Sequence, residues 1–249
     1  MPASKSLHRV VARLERFGTL DEADRRAILA LPYTVRDVDI GTYLVREGER
    51  PPGVAMMLSG FAYRHKITGE GARQILAVHL PGEFVDLQNA FLGVADHNVQ
   101  ALSRGRVAQV SRSAIHALSD SYPNVARAMW TLTLVDASVF REWVVNVGRR
   151  SSIARIAHLL CEFAARLEAE GLADEYGYEL PMTQEQLADA CGLTPVHVNR
   201  VLKELGRMGL IDRQKRAIAI RDWAGLRQVG DFNARYLHLA GPPRPLTLA

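Results

Sequence analysis

Cysteine is scarce in this 249-residue chain: there are only Cys161 and Cys191. Two isolated thiols build neither a disulfide framework nor a cysteine-based metal cluster. Long apolar runs are missing too, and without about 18 consecutive apolar residues no membrane-spanning helix is expected. The opening stretch, "MPASKSLHRVVARLERFGTLDEADRR", reaches charged side chains too early for the core of a secretion signal, so the cytoplasm is the expected location. Also absent are a glycine-rich phosphate loop, a nucleophile elbow and any metal-ligand spacing, so catalysis is not expected. Asp86 and His97 are the only acid–base pair that suggests itself, and nothing in the sequence fixes their geometry. Charge of one sign does not dominate: 31 Lys and Arg against 27 Asp and Glu leave a net +4. That balance permits a polyanionic partner without requiring one.

What is present falls into three textures. Residues 7–31 read as helical. Through 31–117 glycines recur at Gly41, Gly53, Gly60, Gly69, Gly71, Gly82 and Gly93. Between them lie short apolar or alternating runs, "TYLV", "VAMMLSG", "FAYRHK", "QILAVHL", "EFVDL" and "RVAQVS". Short strands separated by turn residues predict an antiparallel barrel or sandwich.

Glycine then disappears from 122–147, and no proline follows Pro123. Ala126, Trp130, Thr133, Ala137, Phe140, Val144 and Val147 repeat at alternating steps of four and three. Val125, Met129, Leu132, Val139 and Trp143 form a second stripe. A helix apolar on two faces needs two partners. One is its own barrel. The other is the same helix of a second subunit in a coiled-coil seam, with a single buried helix in a monomer as the alternative. Trp130, Ala137, Phe140, Val144 and Val147 are the expected seam.

The most informative stretch is "TQEQLADACGLTPVHVNRVLKELGRMGLI", residues 183–211. Thr183 and Gln186 have the spacing of a capping box, with Met182 and Leu187 placed as a hydrophobic staple. A helix from Gln184 to Cys191 should stop at Gly192. Thr194 can cap a second helix, with Pro195 at its first position. At 100° per residue, Val198, Val201, Leu202 and Leu205 share one flank of that second helix. Val196, Asn199, Arg200, Lys203 and Arg207 share the other. Two strands, near 210–213 and 217–221, enclose a basic turn at Gln214, Lys215 and Arg216, and Asp222 can cap a last helix.

A short brace helix, a tight turn and a second helix with one cationic flank make a helix-turn-helix. Arg200 can pair with guanine O6 and N7, Asn199 with adenine, and Val196 with a thymine methyl. His197 lies beside them. Lys203, Arg207, Lys215 and Arg216 suit phosphates, as do the helix starts at Thr183 and Thr194.

This stretch closely resembles the winged helix-turn-helix of the Crp/Fnr transcription regulators. The order of parts is similar as well: a glycine-punctuated barrel with "PGEF" at 81–84, a long helix, then the winged domain. The resemblance implies an α+β fold, with an N-terminal antiparallel β-roll of the cyclic-nucleotide-binding type, a long dimerisation helix and a C-terminal winged helix-turn-helix. Corresponding boundaries are 1–118, 119–150, 151–230 and a C-terminal tail at 231–249, proline-rich after Gly241. It also implies a homodimer on roughly palindromic double-stranded DNA, an effector in the roll and contact with RNA polymerase; the expected mechanism is a shift of the winged domains about a hinge near 148–152.

The likeness thins at the effector. In the cyclic-AMP-binding branch a glutamate and an Arg-Ser pair follow "GEF". Here 85–102 read "VDLQNAFLGVADHNVQAL", with no arginine and with Leu87 or a neighbour where the glutamate is expected. A buried phosphate without a cationic donor loses its strongest contact, which argues against cyclic nucleotides. Glu83, Asp86, Gln88, His97, Asn98 and Gln100 are the candidates for a different polar pocket; the alternative is that they are surface loop and strand residues. With no cysteine before Cys161, the N-terminal iron–sulfur cluster of the oxygen-sensing branch is excluded, and no cofactor is expected. Cys161 lies on an apolar stripe with Ile156, Leu159 and Leu160 and reads as packing. Cys191, beside the turn, is the better candidate for a thiol switch.

Overall fold

A computed structural model describes residues 7–173 and 177–239. These divide into two compact units: 7–62 with 79–137, and 63–78 with 138–237.

The first unit opens with α1 (His8–Glu15) and α2 (Glu22–Leu29). The single helical segment expected over 7–31 is therefore two helices. Gly18 lies in the break, where an added Cβ would come within 2.9 Å of the Ala128 Cβ. Asp21 restarts the helix through a capping box with Asp24, which satisfies two of the N–H groups left over at a helix start.

Strands β1 (Tyr33–Val38), β2 (Tyr43–Val45), β3 (Gly53–Ser59), β6 (Asn98–Ala101) and β7 (Gly105–Ser111) follow the expected antiparallel plan. β7 pairs with both β1 and β3, and β2 pairs with β6. The run "VAMM" is continuously apolar because this part of β3 is covered on both faces. Val54 and Met56 enter one core, shared with α1, α2 and the later helices. Ala55 and Met57 enter a second core with Val45, Val85, Val99 and Val107. Successive residues on a strand point to opposite faces, so one short strand serves two cores. Gly105 is required at the start of β7, because a Cβ there would sit 2.1 Å from the Ser59 carbonyl oxygen.

Two expectations in this unit need correction. "EFVDL" is not a strand; its only sheet contact is the single bridge Met56 to Phe84. Turn bonds Asn89 N–H to Asp86 O and Ala90 N–H to Leu87 O curl the segment into α3 (Asn89–Leu92). The strand region also ends earlier than 117. α4 (Arg112–Ser121) begins directly after β7, capped by Ser111, whose Oγ accepts from Ala114 N–H.

α5 (Pro123–Arg149) is the expected long helix and supplies its first half to this unit and its second half to the other. Val125, Met129, Leu132 and Trp143 of the second stripe are buried.

The second unit contains β4 (Ala62–Ile67) from Tyr63 onward, most of β5 (Arg73–His79), the end of α5, and the carboxyl-terminal elements. These are α6 (Ser152–Ala169), β8 (Gly177–Glu179), α7 (Gln184–Cys191), α8 (Pro195–Arg207), β9 (Ile211–Gln214), β10 (Ala217–Ile220), α9 (Trp223–Val229) and a last 3-10 turn (Ala234–Leu237). The expected wing hairpin is present and gains a third strand: β10 pairs with β8 as well as β9. Residues 240–249, most of the proposed tail, lie outside the described residues.

Polar groups fasten the interior of this unit. Buried Glu162 on α6 accepts from Trp143 Nε1 at 2.9 Å, from the Tyr236 hydroxyl at 2.7 Å and from Arg166 Nη1 at 3.3 Å. Arg166 Nη2 donates onward to the Val78 carbonyl at 2.7 Å. Burial beside this carboxylate pushes the Tyr236 hydroxyl far above the ordinary phenol range. The short link between α5 and α6 is held as well. Arg150 Nη2 lies 2.6 Å from Glu142 Oε1 and 3.1 Å from Asp231 Oδ2, while Arg155 Nε donates to Arg150 O at 2.9 Å.

Candidate nucleic-acid interface

The geometry of the site starts with two helix caps. Thr183 Oγ1 accepts from Gln186 N–H at 3.2 Å, and Gln186 Oε1 accepts from Thr183 N–H at 2.8 Å. Both halves of the capping box are made, so α7 starts where the sequence placed it. It ends at Gly192 with φ 62°, the left-handed conformation that glycine adopts without a Cβ penalty. Two residues later Thr194 Oγ1 accepts from His197 N–H at 3.3 Å, and Pro195 takes the first position of α8. The short, doubly capped connection fixes the angle between brace and second helix.

α8 has two unlike flanks. Val198, Val201, Leu202 and Leu205 are buried, while Val196 is 81% exposed. Arg200, Lys203 and Arg207 are also exposed, and His197 and Asn199 are half-buried. Burying four such side chains contributes roughly 6–12 kcal/mol, before the offset of lost chain entropy, and sets which flank faces outward.

Asn199, Lys203 and Arg207 line one wall of a groove of about 620 Å³, with Ile211, Asp212 and Arg213 of β9 opposite. The wing closes with Lys215 at φ 55°, a left-handed position held without glycine. Its carbonyl accepts from Arg213 Nε at 3.0 Å. Lys215 and Arg216 are exposed. Arg213 and Arg221 are two wing cations not among the expected site residues; they end the two stretches expected as strands, 210–213 and 217–221. Arg221 Nη2 pairs with Asp212 Oδ2 at 3.0 Å, which offsets the one acidic side chain on the groove wall.

Arg200 is exposed and contacts His197, one turn earlier on α8. Its Nη2 lies 3.1 Å from His197 Nε2, and the same nitrogen lies 2.9 Å from Ser152 Oγ.

Cys191 does not suit a thiol switch. It is fully buried, and burial pushes its thiol up to about 12, with Arg155 pulling weakly the other way. A thiol without thiolate character is a poor nucleophile and a slow oxidation target. Cys161 is buried packing, its thiol likewise pushed up to about 12.

The six residues expected to line one polar pocket are not brought together. Glu83 pairs with Arg13 at 2.8 Å, and His79 Nδ1 lies 3.6 Å away. Asp86 accepts from the Asn89 amide and lies 3.3 Å from His97 Nε2. Gln88 sits on the wall of a separate apolar cleft with Leu87, Phe91 and Trp130. Asn98 Oδ1 accepts from Glu47 N–H at 3.1 Å, and Gln100 Nε2 donates to Gly41 O at 3.1 Å. Alternation along β6 explains the scatter: Val99 and Ala101 take the inner face, which leaves Asn98 and Gln100 to tie down loops. Only Asp86 and His97 meet. Among the described residues no group of three or more His, Cys, Asp or Glu is arranged to hold a metal, and no helix is long and apolar enough to cross a membrane.

Along α5 the expected seam residues are only partly covered. Trp130 is 68% exposed and Val144 72%, with Ala137, Phe140 and Val147 half-buried. In the second unit Phe140, Val144 and Val147 border an apolar hollow of about 330 Å³.

Comparison with known proteins identifies two domains in the order found here. A profile of the Crp-like helix-turn-helix domain matches residues 154–229, and one of the cyclic nucleotide-binding domain matches 35–122. The chain is 28% identical over 201 residues to the transcriptional activator protein FnrL of Cereibacter sphaeroides, covering 79% of this chain and 80% of that one. It is 29% identical over 177 residues to the nitrogen fixation regulation protein FixK of Azorhizobium caulinodans, covering 71% of each. The solved structure of FixK2 from Bradyrhizobium japonicum superposes with a TM-score of 0.75 at 26% identity, covering 82% of this chain and 100% of that one.

Proposed function

The chain belongs to the Crp/Fnr family of transcription regulators, and on that premise we propose that α8 reads a half-site in the major groove. The observation that carries this reading is the open cationic flank of α8 above its four buried residues. Arg200 pairs with a guanine, Asn199 with an adenine, and Val196 meets a thymine methyl. Val196 cannot accept from cytosine N4, as the glutamate common in the family does, so the base beside the guanine differs from the usual half-site. Lys203, Arg207, Lys215 and Arg216, with the helix starts at Thr183 and Thr194, hold phosphates.

The stripe Trp130, Ala137, Phe140, Val144 and Val147 forms the seam of a homodimer. Its two-fold axis sets the recognition helices roughly 34 Å apart on a near-palindromic site. The roll, the long helix and the winged domain follow the boundaries 1–118, 119–150 and 151–230. The bound dimer contacts RNA polymerase in the cytoplasm. It carries no resident cofactor and catalyses no reaction.

Control comes from an effector that binds one orientation of the winged domain better than another. The joint at 148–152 sets that orientation, and any change there must break the Arg150 contacts to Glu142 and Asp231. A cyclic nucleotide does not fit this role, because 85–102 offers no arginine for its phosphate. Cyclic AMP therefore leaves the melting midpoint unchanged; a clear upward shift would overturn this exclusion.

The test of the DNA reading is Arg200→Ala. It should cost about 1–3 kcal/mol of discrimination per half-site at the guanine position while leaving weak, salt-sensitive binding to any duplex. Unchanged base preference in competition assays would reject the recognition-helix assignment.

A further inference from the structure

We propose that His197 is a positioning residue for base readout: its imidazole holds the Arg200 guanidinium in reading geometry and ties it to the start of α6. This inference rests on the proposed role of Arg200.

The contacts are specific in direction. Arg200 can only donate, so its Nη2 at 3.1 Å requires Nε2 of His197 to carry the ring lone pair. The ring proton then sits on Nδ1. Ser152 Oγ, 2.9 Å from the same Nε2, can then only share that single lone pair with Arg200, in a three-centre contact. The His197 main chain is held as well, since its backbone N–H donates to Thr194 Oγ1 at 3.3 Å. A guanidinium has five N–H donors in one plane. One held by His197 leaves others on the open edge of the fork for guanine O6 and N7. An arginine fixed at the ligand-facing end of a long side chain loses less rotamer freedom on binding, and ordering such a side chain costs about 0.5–1.5 kcal/mol.

Ser152 gives the arrangement its second consequence. It is the first residue of α6, and it directly follows the link fastened by Arg150. Readout and the joint between the two helices therefore share one imidazole nitrogen.

The variants are His197→Leu, which removes the acceptor, and His197→Gln, whose amide oxygen reaches a similar distance and accepts. Each is measured on operators with the cognate guanine and with each other base at that position, alone and combined with Arg200→Ala. His197→Leu should reduce the guanine preference about tenfold, equivalent to ~1.4 kcal/mol, and His197→Gln should restore most of it. In the Arg200→Ala background His197→Leu should cause no further loss, since its effect passes through the guanidinium. Melting curves of both variants are compared, and if the leucine variant is unfolded the same reading comes from His197→Met. Preference retained in His197→Leu, or an additional loss on top of Arg200→Ala, overturns the positioning role while leaving the DNA reading standing. Preference retained in Arg200→Ala itself overturns both.

Discussion

Two nitrogens of one guanidinium, Nε and Nη2 of Arg73, each lie 2.7 Å from Oδ2 of Asp189. The pair joins strand β5 to the brace helix α7, and Gln74 Nε2 adds a bond to the Ala190 carbonyl at 3.2 Å. Both charged side chains are about a quarter exposed, at 28% and 22%, so solvent screens the pair. We expect Asp189→Ala to lower stability by ~1 kcal/mol, less at high salt. Arg73→Asp should cost more, by setting two carboxylates face to face. The swap Arg73→Asp with Asp189→Arg should recover most of that loss. A swap no more stable in thermal melts than the sum of its single changes would show that the pair does not couple.

Glu162 is a harsher site. Glu162→Leu leaves the Arg166 cation and the Trp143 and Tyr236 donors without their acceptor in the interior. The expected loss is roughly 3–5 kcal/mol, as for breaking a buried ion pair. Trp143→Phe removes a single bond to a charged group and should cost about 1.5–3 kcal/mol. Denaturant titrations distinguish these values. A leucine variant as stable as Trp143→Phe would mean that water replaces the lost acceptor.

The exposed stripe on α5 carries a prediction about mass. Val144→Glu together with Phe140→Glu should halve the particle mass in light scattering, because two like charges face their own copies across the axis. Operator affinity should fall with it, since a single recognition helix keeps only half the contacts. A dimer that persists in the double variant would place the seam elsewhere.

The two buried thiols set an alkaline limit. Both are pushed up to about 12 in the folded chain, whereas an unfolded thiol ionises near its ordinary value of about 8.5. The unfolded state therefore loses these protons first as pH rises. Stability is full below the ordinary thiol range and should fall between roughly pH 8.5 and 12, by up to ~1.4 kcal/mol per pH unit for each thiol. Cys161→Ala with Cys191→Ala should flatten that slope, although each change also leaves a small cavity. At neutral pH native Cys191 should resist alkylation until the chain unfolds. Rapid labelling of the folded protein would restore the thiol switch.

Much of the winged unit was legible because its signals are local. Thr183 with Gln186, Gly192, and Thr194 with Pro195 each act within four residues, and they place α7 and the start of α8 to the residue. The two apolar flanks of α5 were equally plain, since a 27-residue helix shows its period many times over. Other features were hidden for the same reason in reverse. β8 spans three residues and exists only through pairing with β10, about 40 positions along the chain. "EFVDL" has the composition of a strand, and only the turn through Asp86 and Asn89 takes it out of the sheet.

The sequence alone determined the caps, the two-sided α8 and the basic turn between β9 and β10, because each depends on bonds and periodicities within a few residues. The tertiary structure decided the rest. It dispersed Glu83, Gln88, Asn98 and Gln100 to separate partners, buried Cys191, paired Arg73 with Asp189, and set His197 between Arg200 and Ser152. Those outcomes depend on which distant surfaces close on one another and shed water, and no short stretch of chain contains that information.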